Sequence, residues 1–255
     1  MHKGSSLDIL KPFFRFPFDQ EGWQRQFLIG SGLVFLGMFI PVVPLVFVAG
    51  YAAQVMRASL NGREPSMPEW SDFGRLGRDG LTVMGISAVY LLPGLILYFG
   101  GIVVYMVFSF VSPFAMMPFG DSAPVAVAFV LVFLGGLALF FFALAAGSVL
   151  TIAGMIPTPL ATAHALAESR FGAAFRFGEM RRLLRANRLG YLVAWIAMAG
   201  LSAIVYLGLM VGYYTVVLCA VIPFITAPLL FYLYLVGAAI FGQAYRDCRA
   251  AAGAL

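Results

Sequence analysis

The sequence predicts an all-α membrane protein, a polytopic helical bundle, and three observations predict it. Of 255 residues, 62% are apolar and 11% charged, whereas soluble domains run at about 45–50% and about 25%. Four long stretches carry no Asp, Glu, Lys or Arg: Gln26–Met56, Gly80–Gly120, Ser122–Ala167 and Leu189–Tyr245. The basic residues gather in clusters around and between these stretches. Scattered Gly and Pro and only two cysteines exclude collagen, disorder and a disulfide scaffold. The whole chain, 1–255, reads as one integral membrane domain.

The first stretch would be ~46 Å long as one helix, against a hydrocarbon core of about 30 Å. Lys3, Lys11, Arg15 and Arg25 precede it, and Arg57, Arg63, Arg75 and Arg78 follow it. Under the positive-inside rule both clusters belong in the cytoplasm, so the stretch is expected to be a hairpin turning at Pro41-Val-Val-Pro44. Its arms are Trp23–Ile40 and Pro44–Leu60; a single kinked span is the alternative. The second and third stretches carry only Asp121 between them and form one hairpin turning there. Arg170, Arg176, Arg181, Arg182, Arg185 and Arg188 follow. The fourth stretch turns near Gly208–Tyr214 and ends at Arg246 and Arg249. The expected result is about six crossings in three hairpin units, roughly 16–60, 70–170 and 171–250, with both termini cytoplasmic. The first residues lack a signal-peptide h-region and cleavage site. A prokaryotic plasma (inner) membrane protein with no cleaved signal peptide is therefore expected. With Cys219 inside a span and Cys248 at the inner end, no disulfide is expected.

The hairpins share a plan. Phe18-Asp-Gln-Glu-Gly-Trp-Gln-Arg25, Phe73-Gly-Arg-Leu-Gly-Arg-Asp-Gly80 and Phe177-Gly-Glu-Met-Arg-Arg-Leu-Leu-Arg185 each place an aromatic residue and arginines ahead of a hydrophobic helix. Ile40-Pro-Val-Val-Pro-Leu45, Ile156-Pro-Thr-Pro-Leu160 and Ile222-Pro-Phe-Ile-Thr-Ala-Pro-Leu229 open the returning arms. Each arm runs on to a polar end at Gln54–Arg57, His164–Arg170 or Gln243–Arg246. Pro41, Pro44, Pro157, Pro159, Pro223 and Pro228 are the expected helix breaks, because proline removes a backbone donor and clashes one turn back. They either end one helix and start the next or face a shared interior with a lateral opening near Pro157 and Pro223. Gly208-x-x-x-Gly212 and Ala238-x-x-x-Gly242 suggest close helix packing.

Arg181, Arg182, Arg185 and Arg188 share one flank of a helix, with Arg176 just before it and Phe171, Phe175, Phe177, Leu183 and Leu184 beside it. An amphipathic helix around Arg170–Arg188 is expected at the inner interface, its arginines among anionic headgroups. The same residues also serve topology alone. In the polar connection Asn61–Asp79, Ser71 or Asp72 is expected to cap a helix. Trp23, Trp70 and Phe73 are expected as interfacial anchors.

Phe16-Pro-Phe-Asp19 with Trp23, Gly50-Tyr51, Arg57, Pro68-Glu-Trp-Ser-Asp-Phe73 and Asp79-Gly80 together resemble an uncharacterised prokaryotic multi-pass membrane family, the domain of unknown function number four thousand and thirteen. The resemblance covers most of the chain, and the Pro-Glu-Trp segment is its most specific part. The hairpins resemble more faintly the membrane regions attached to glycerophosphodiester phosphodiesterases, whose soluble catalytic domain has no counterpart here. Neither resemblance implies catalytic residues.

No nucleophile motif, phosphate-binding Gly-rich loop or metal-ligand spacing stands out. His164 and Glu168 lie one turn apart, and nothing else is expected to cluster with them, so no metal, cofactor or catalytic residue is assigned. The spans lack the buried charges of ion-driven transport. A non-enzymatic protein is expected, handling lipid or passing an apolar or weakly polar molecule, with anionic lipids as partners. The alternative is an accessory subunit or scaffold within a larger membrane complex, bound to a membrane protein partner or to its own copies. No nucleic-acid partner is expected.

Overall fold

The computed structural model describes residues 12–116, 123–214 and 221–253. Among them there is no strand. The helices are α1 (Trp23–Gly37), α2 (Val43–Leu60), α3 (Phe73–Met116), α4 (Ala123–Met155), α5 (Thr158–Glu168), α6 (Phe177–Ala186), α7 (Arg188–Tyr213) and α8 (Ile222–Ala251), with a 3-10 turn at Phe171–Phe175 before α6. This is an all-α membrane bundle. Five of its helical segments are long and apolar enough to cross a membrane. With 15 residues, α1 reaches only ~22 Å, short of the hydrocarbon core.

The first charge-free stretch forms two helices, α1 and α2, that pack on each other. Their connection contains Pro41 and turns sharply at Val42 (φ 81°, ψ −69°). Val43 N–H donates to the Pro41 carbonyl over 3.2 Å, which closes a classic-hand γ-turn, a strained conformation for any residue with a side chain. Val42→Gly should therefore raise stability by about 1 kcal/mol, read as a higher unfolding midpoint in detergent. An unchanged or lower midpoint would contradict the strain.

The prolines mostly begin helices. Pro44 and Pro223 lie in the first turns of α2 and α8, and Pro159 in the first turn of α5, where a missing N–H costs nothing. Pro157 sits in the turn before α5. Pro228 departs from its expected role as a break, because α8 runs through it. Pro93 and Pro113 likewise lie inside α3. The Ile-Pro pattern is thus a recurring start signal for α2, α5 and α8. The turn expected at Asp121 lies outside the described residues. Of the turn expected near Gly208–Tyr214, all but Tyr214 belongs to α7, and residues 215–220 lie outside the described residues.

The chain divides into two compact units, 1–86 with 159–255 and 87–158. The ends of the expected middle hairpin thus pack with the first and third hairpins. In the larger unit α8 is the hub, packing on α1, α2, α6 and α7. Phe231, Leu235, Val236, Ala239 and Cys248 are almost fully buried along it. Gly242 lets α8 approach α2 closely: a Cβ there would lie 2.9 Å from the Met56 carbonyl oxygen. Gly208, by contrast, faces open space and supports no helix contact among the described residues. A tighter approach joins α2 to the start of α3. A Cβ on Gly50 would overlap the Leu76 carbonyl, and one on Gly80 the Val46 carbonyl.

An aromatic cluster closes the other side of α8. Tyr51 stacks on Trp70 with centroids 4.2 Å apart, and both contact Phe231. Trp70, expected as an interfacial anchor, is a core residue at 9% exposure. Its Nε1–H donates to the Gln26 carbonyl over 3.0 Å, which gives a buried indole the partner it needs. The Tyr51 hydroxyl donates to the Pro68 carbonyl and Met67 N–H to Gln20 Oε1. These bonds fix the connection before α3 without regular structure. Trp23 is half-buried against Phe18, and Phe73 is exposed. Asp72 caps α3, accepting from Arg75 N–H over 2.9 Å.

In the smaller unit α3 and α4 pack through small residues. Gly94 meets Thr151, Gly147 meets the Tyr98 backbone and Gly154 meets the Tyr90 carbonyl. An apolar cavity of about 840 Å³ lies between these helices, bordered by Pro93, Gly100, Gly101, Gly135 and Gly136. It is lined by neither Pro157 nor Pro223, where the lateral opening was expected. Gly100 and Gly135 leave their Cβ positions open, whereas Gly101 and Gly136 meet Ala143 and Phe108 closely.

Candidate functional site: a basic cavity and a histidine cluster

The returning arms α2, α5 and α8 end in polar sequence, and those ends come together in the larger unit. Arg57 of α2, Leu166, Ala167 and Ser169 around the end of α5, and Tyr245, Arg246 and Arg249 of α8 line one cavity of about 310 Å³. A second, of about 700 Å³, shares Arg57 and Arg75 and adds Asp72, Arg78, Asp79, Thr82, Arg170 and Phe171. Both cavities are polar because α3 begins with arginines one turn apart and α5 stops at Glu168, leaving Ser169 and Arg170 to turn the chain. Ser169 makes that turn with φ 52°.

At the floor Arg57 Nη2 donates to Asp79 Oδ1 over 2.9 Å, the side chains 24% and 8% exposed. Arg75 Nε lies 3.8 Å from Asp79 Oδ2, too far for a hydrogen bond, and that oxygen and Arg57 Nε are buried without a partner among the described residues. The pair neutralises Arg57. Arg78 and Arg170 line the same cavity, and among the described residues neither has an acidic partner. The cavity therefore carries surplus positive charge: Asp79 is buried and Arg57 part-buried, whereas Arg75, Arg78 and Arg170 are exposed, and a phosphate or carboxylate entering it would meet charge-assisted bonds.

The five arginines expected to meet headgroups lie elsewhere. Arg176, Arg181, Arg182, Arg185 and Arg188 are all exposed. The expected single helix is broken into the 3-10 turn, α6 and the start of α7; at the second break Asn187 caps α7 by accepting from Gly190 N–H over 3.0 Å. Met180 and Leu183 form the buried face of α6, so the helix is amphipathic as expected. Arg176 pairs with Glu168 at 3.1 Å and Glu179 at 3.5 Å.

His164 does not stand with Glu168 alone, as the sequence suggested. Glu179, in the first turn of α6, joins them. His164 Nε2 is 3.1 Å from Glu179 Oε2 and 3.5 Å from Glu168 Oε1, and Nδ1 is 2.7 Å from the Tyr245 hydroxyl. The imidazole is buried on α5, a short helix whose residues from Leu160 to Leu166 are all buried. The i, i+4 spacing of His164 and Glu168 was legible; Glu179 arrives by folding of α6 and left no local signal. These three side chains are the described ones that could hold a metal ion.

The fold and this polar end define a polytopic α-helical membrane protein with a basic pocket at the ends of its returning arms. The family described as Protein of unknown function (DUF4013) matches residues 33–212, more than half of the chain. The chain belongs to that family. No curated protein and no solved structure matches it, and the likeness to phosphodiesterase membrane regions is not shown.

Proposed function

We infer that the protein is a non-enzymatic lipid-handling protein whose basic cavity receives the phosphate of an anionic lipid headgroup. The single observation that carries this reading is the cavity at Arg57, Arg75, Arg78 and Arg170, where two arginines lack acidic partners among the described residues. A scaffold needs no such pocket, so the cavity favours lipid handling over the accessory-subunit reading. The apolar cavity beside Pro93 has the chemistry to take acyl chain or another apolar molecule. The exposed arginines of α6 supply non-specific attraction to the same surface, about 1 kcal/mol each. Six crossings, with the short α1 as one of them, and both termini cytoplasmic in a prokaryotic inner membrane fit the basic clusters.

The test is headgroup binding to the detergent-purified protein, measured with phosphatidylglycerol against phosphatidylcholine. Arg78→Gln with Arg170→Gln should weaken phosphatidylglycerol binding roughly thirtyfold, on the order of 1 kcal/mol for each arginine. Arg181→Gln with Arg185→Gln should lower only the salt-dependent attraction to vesicles. Equal phosphatidylglycerol affinity in the cavity variant and the parent would overturn the reading. Inorganic phosphate in the same assay separates a lipid site from a free-phosphate site: phosphate competing at equal concentration would also overturn the lipid assignment.

A further inference from the structure

We propose that His164, Glu168 and Glu179 form a three-ligand site for a divalent transition-metal ion of the zinc type. The proposal is independent of the basic cavity.

The three ligand atoms are all acceptors, or can be, and lie within 4.8 Å of one another. Without a metal, Nε2–H can donate to Glu179 Oε2 over 3.1 Å; with Nε2 deprotonated, the nitrogen and the two carboxylate oxygens form a donor set for a cation. The spacing from Nε2 also admits a metal. Zinc bonds of about 2.0–2.1 Å to nitrogen and oxygen at tetrahedral angles put ligand atoms about 3.4 Å apart. The two observed separations from Nε2 are 3.1 and 3.5 Å.

The surroundings are those of a prepared ligand set. Tyr245 hydroxyl holds Nδ1 at 2.7 Å and can accept from it, which leaves the Nε2 lone pair directed at the carboxylates. An imidazole ligand fixed through its other nitrogen is the usual outer-shell arrangement of metal sites. Arg176 Nη1 holds the opposite oxygens, Glu168 Oε2 and Glu179 Oε1, so it orients both carboxylates without taking the oxygens that face His164. With Arg176 on their outer oxygens, the two carboxylates offset part of the charge of a divalent ion, and mixed nitrogen and oxygen donors favour zinc over magnesium or calcium. A neighbouring cavity of about 240 Å³ reaches these three side chains, with Arg182 and Arg249 also on its wall, and leaves room for water as a fourth ligand. The ligands tie α5 to α6, so the ion would also brace the amphipathic helix against the bundle.

The experiment is zinc titration by calorimetry of the chelator-stripped, detergent-solubilised full chain, with cobalt absorption as a second readout of geometry. One zinc per chain at micromolar affinity or tighter is expected, with intense tetrahedral cobalt bands. Glu179→Gln changes an exposed side chain at the surface of α6 and should keep the fold while weakening zinc at least tenfold. His164→Gln should abolish binding; circular dichroism and gel filtration of Glu179→Gln guard against a folding artefact at buried His164. Absence of zinc binding to the parent would overturn the proposal and leave His164 as a hydrogen-bonding partner of Glu179. Zinc binding unchanged in Glu179→Gln would overturn it too, because the ion would then sit elsewhere.

Discussion

Replacing Asp79 by asparagine should destabilise the protein by about 3 kcal/mol, the usual scale for stripping one partner from a buried ion pair. Asp79 is 6% exposed and holds Arg57 at 2.9 Å; without it, a largely buried guanidinium loses its counter-charge. The loss should appear as a lower unfolding midpoint in detergent. The double variant Arg57→Gln with Asp79→Asn should recover part of it, since the uncompensated charge is gone. A double variant no better than Asp79→Asn would show that the carboxylate matters for some other contact. The pair also sits at the floor of the basic cavity, so Asp79→Asn changes its charge as well as its stability. The double variant separates these effects.

A second large effect is expected at the crossing of α2 and α3. Gly80→Val places side-chain atoms where the Val46 carbonyl already is. Backbone cannot rotate away as a side chain can, so overpacking here should cost at least about 3 kcal/mol. Little folded protein should survive extraction, as read by gel-filtration yield. Gly50→Val should behave alike, because it meets the Leu76 carbonyl from the facing helix. Gly32→Ala is the contrast: nothing lies within 4 Å of its Cβ position in α1, and alanine in a helix interior gains up to about 1 kcal/mol over glycine. A Gly80→Val protein with parental yield and midpoint would mean that the crossing is looser than described.

Much of the architecture was legible because hydrocarbon imposes simple rules. Charge-free runs announced the helices, and Pro41 through Pro44 announced the break between α1 and α2. The Ile-Pro pattern was visible too, although its role at Pro157 and Pro223 is to begin helices rather than interrupt them. Pro228 misled because a helix buried within protein tolerates a proline whose freed carbonyls find other partners. Trp70 misled for a related reason. An aromatic residue in a polar connection reads as an interfacial anchor, yet nothing local tells that Tyr51 waits 19 positions earlier to stack on it.

The candidate sites divide in the same way. His164 and Glu168 were visible as an i, i+4 pair, and Arg57, Arg170 and Arg246 were visible as polar ends of three similar arms. Their meeting was not. Hydropathy period and charge clustering are local properties, so the sequence by itself determined the class, the helices and the amphipathic character of α6. Only the tertiary structure decided that Glu179 faces His164, that Asp79 neutralises Arg57 while Arg78 and Arg170 stay open to the cavity, and that Gly50 and Gly80 meet opposing carbonyls. Each of those is set by packing between segments distant in the chain, where a contact depends on the rotation of two helices about their axes. No single segment encodes that rotation.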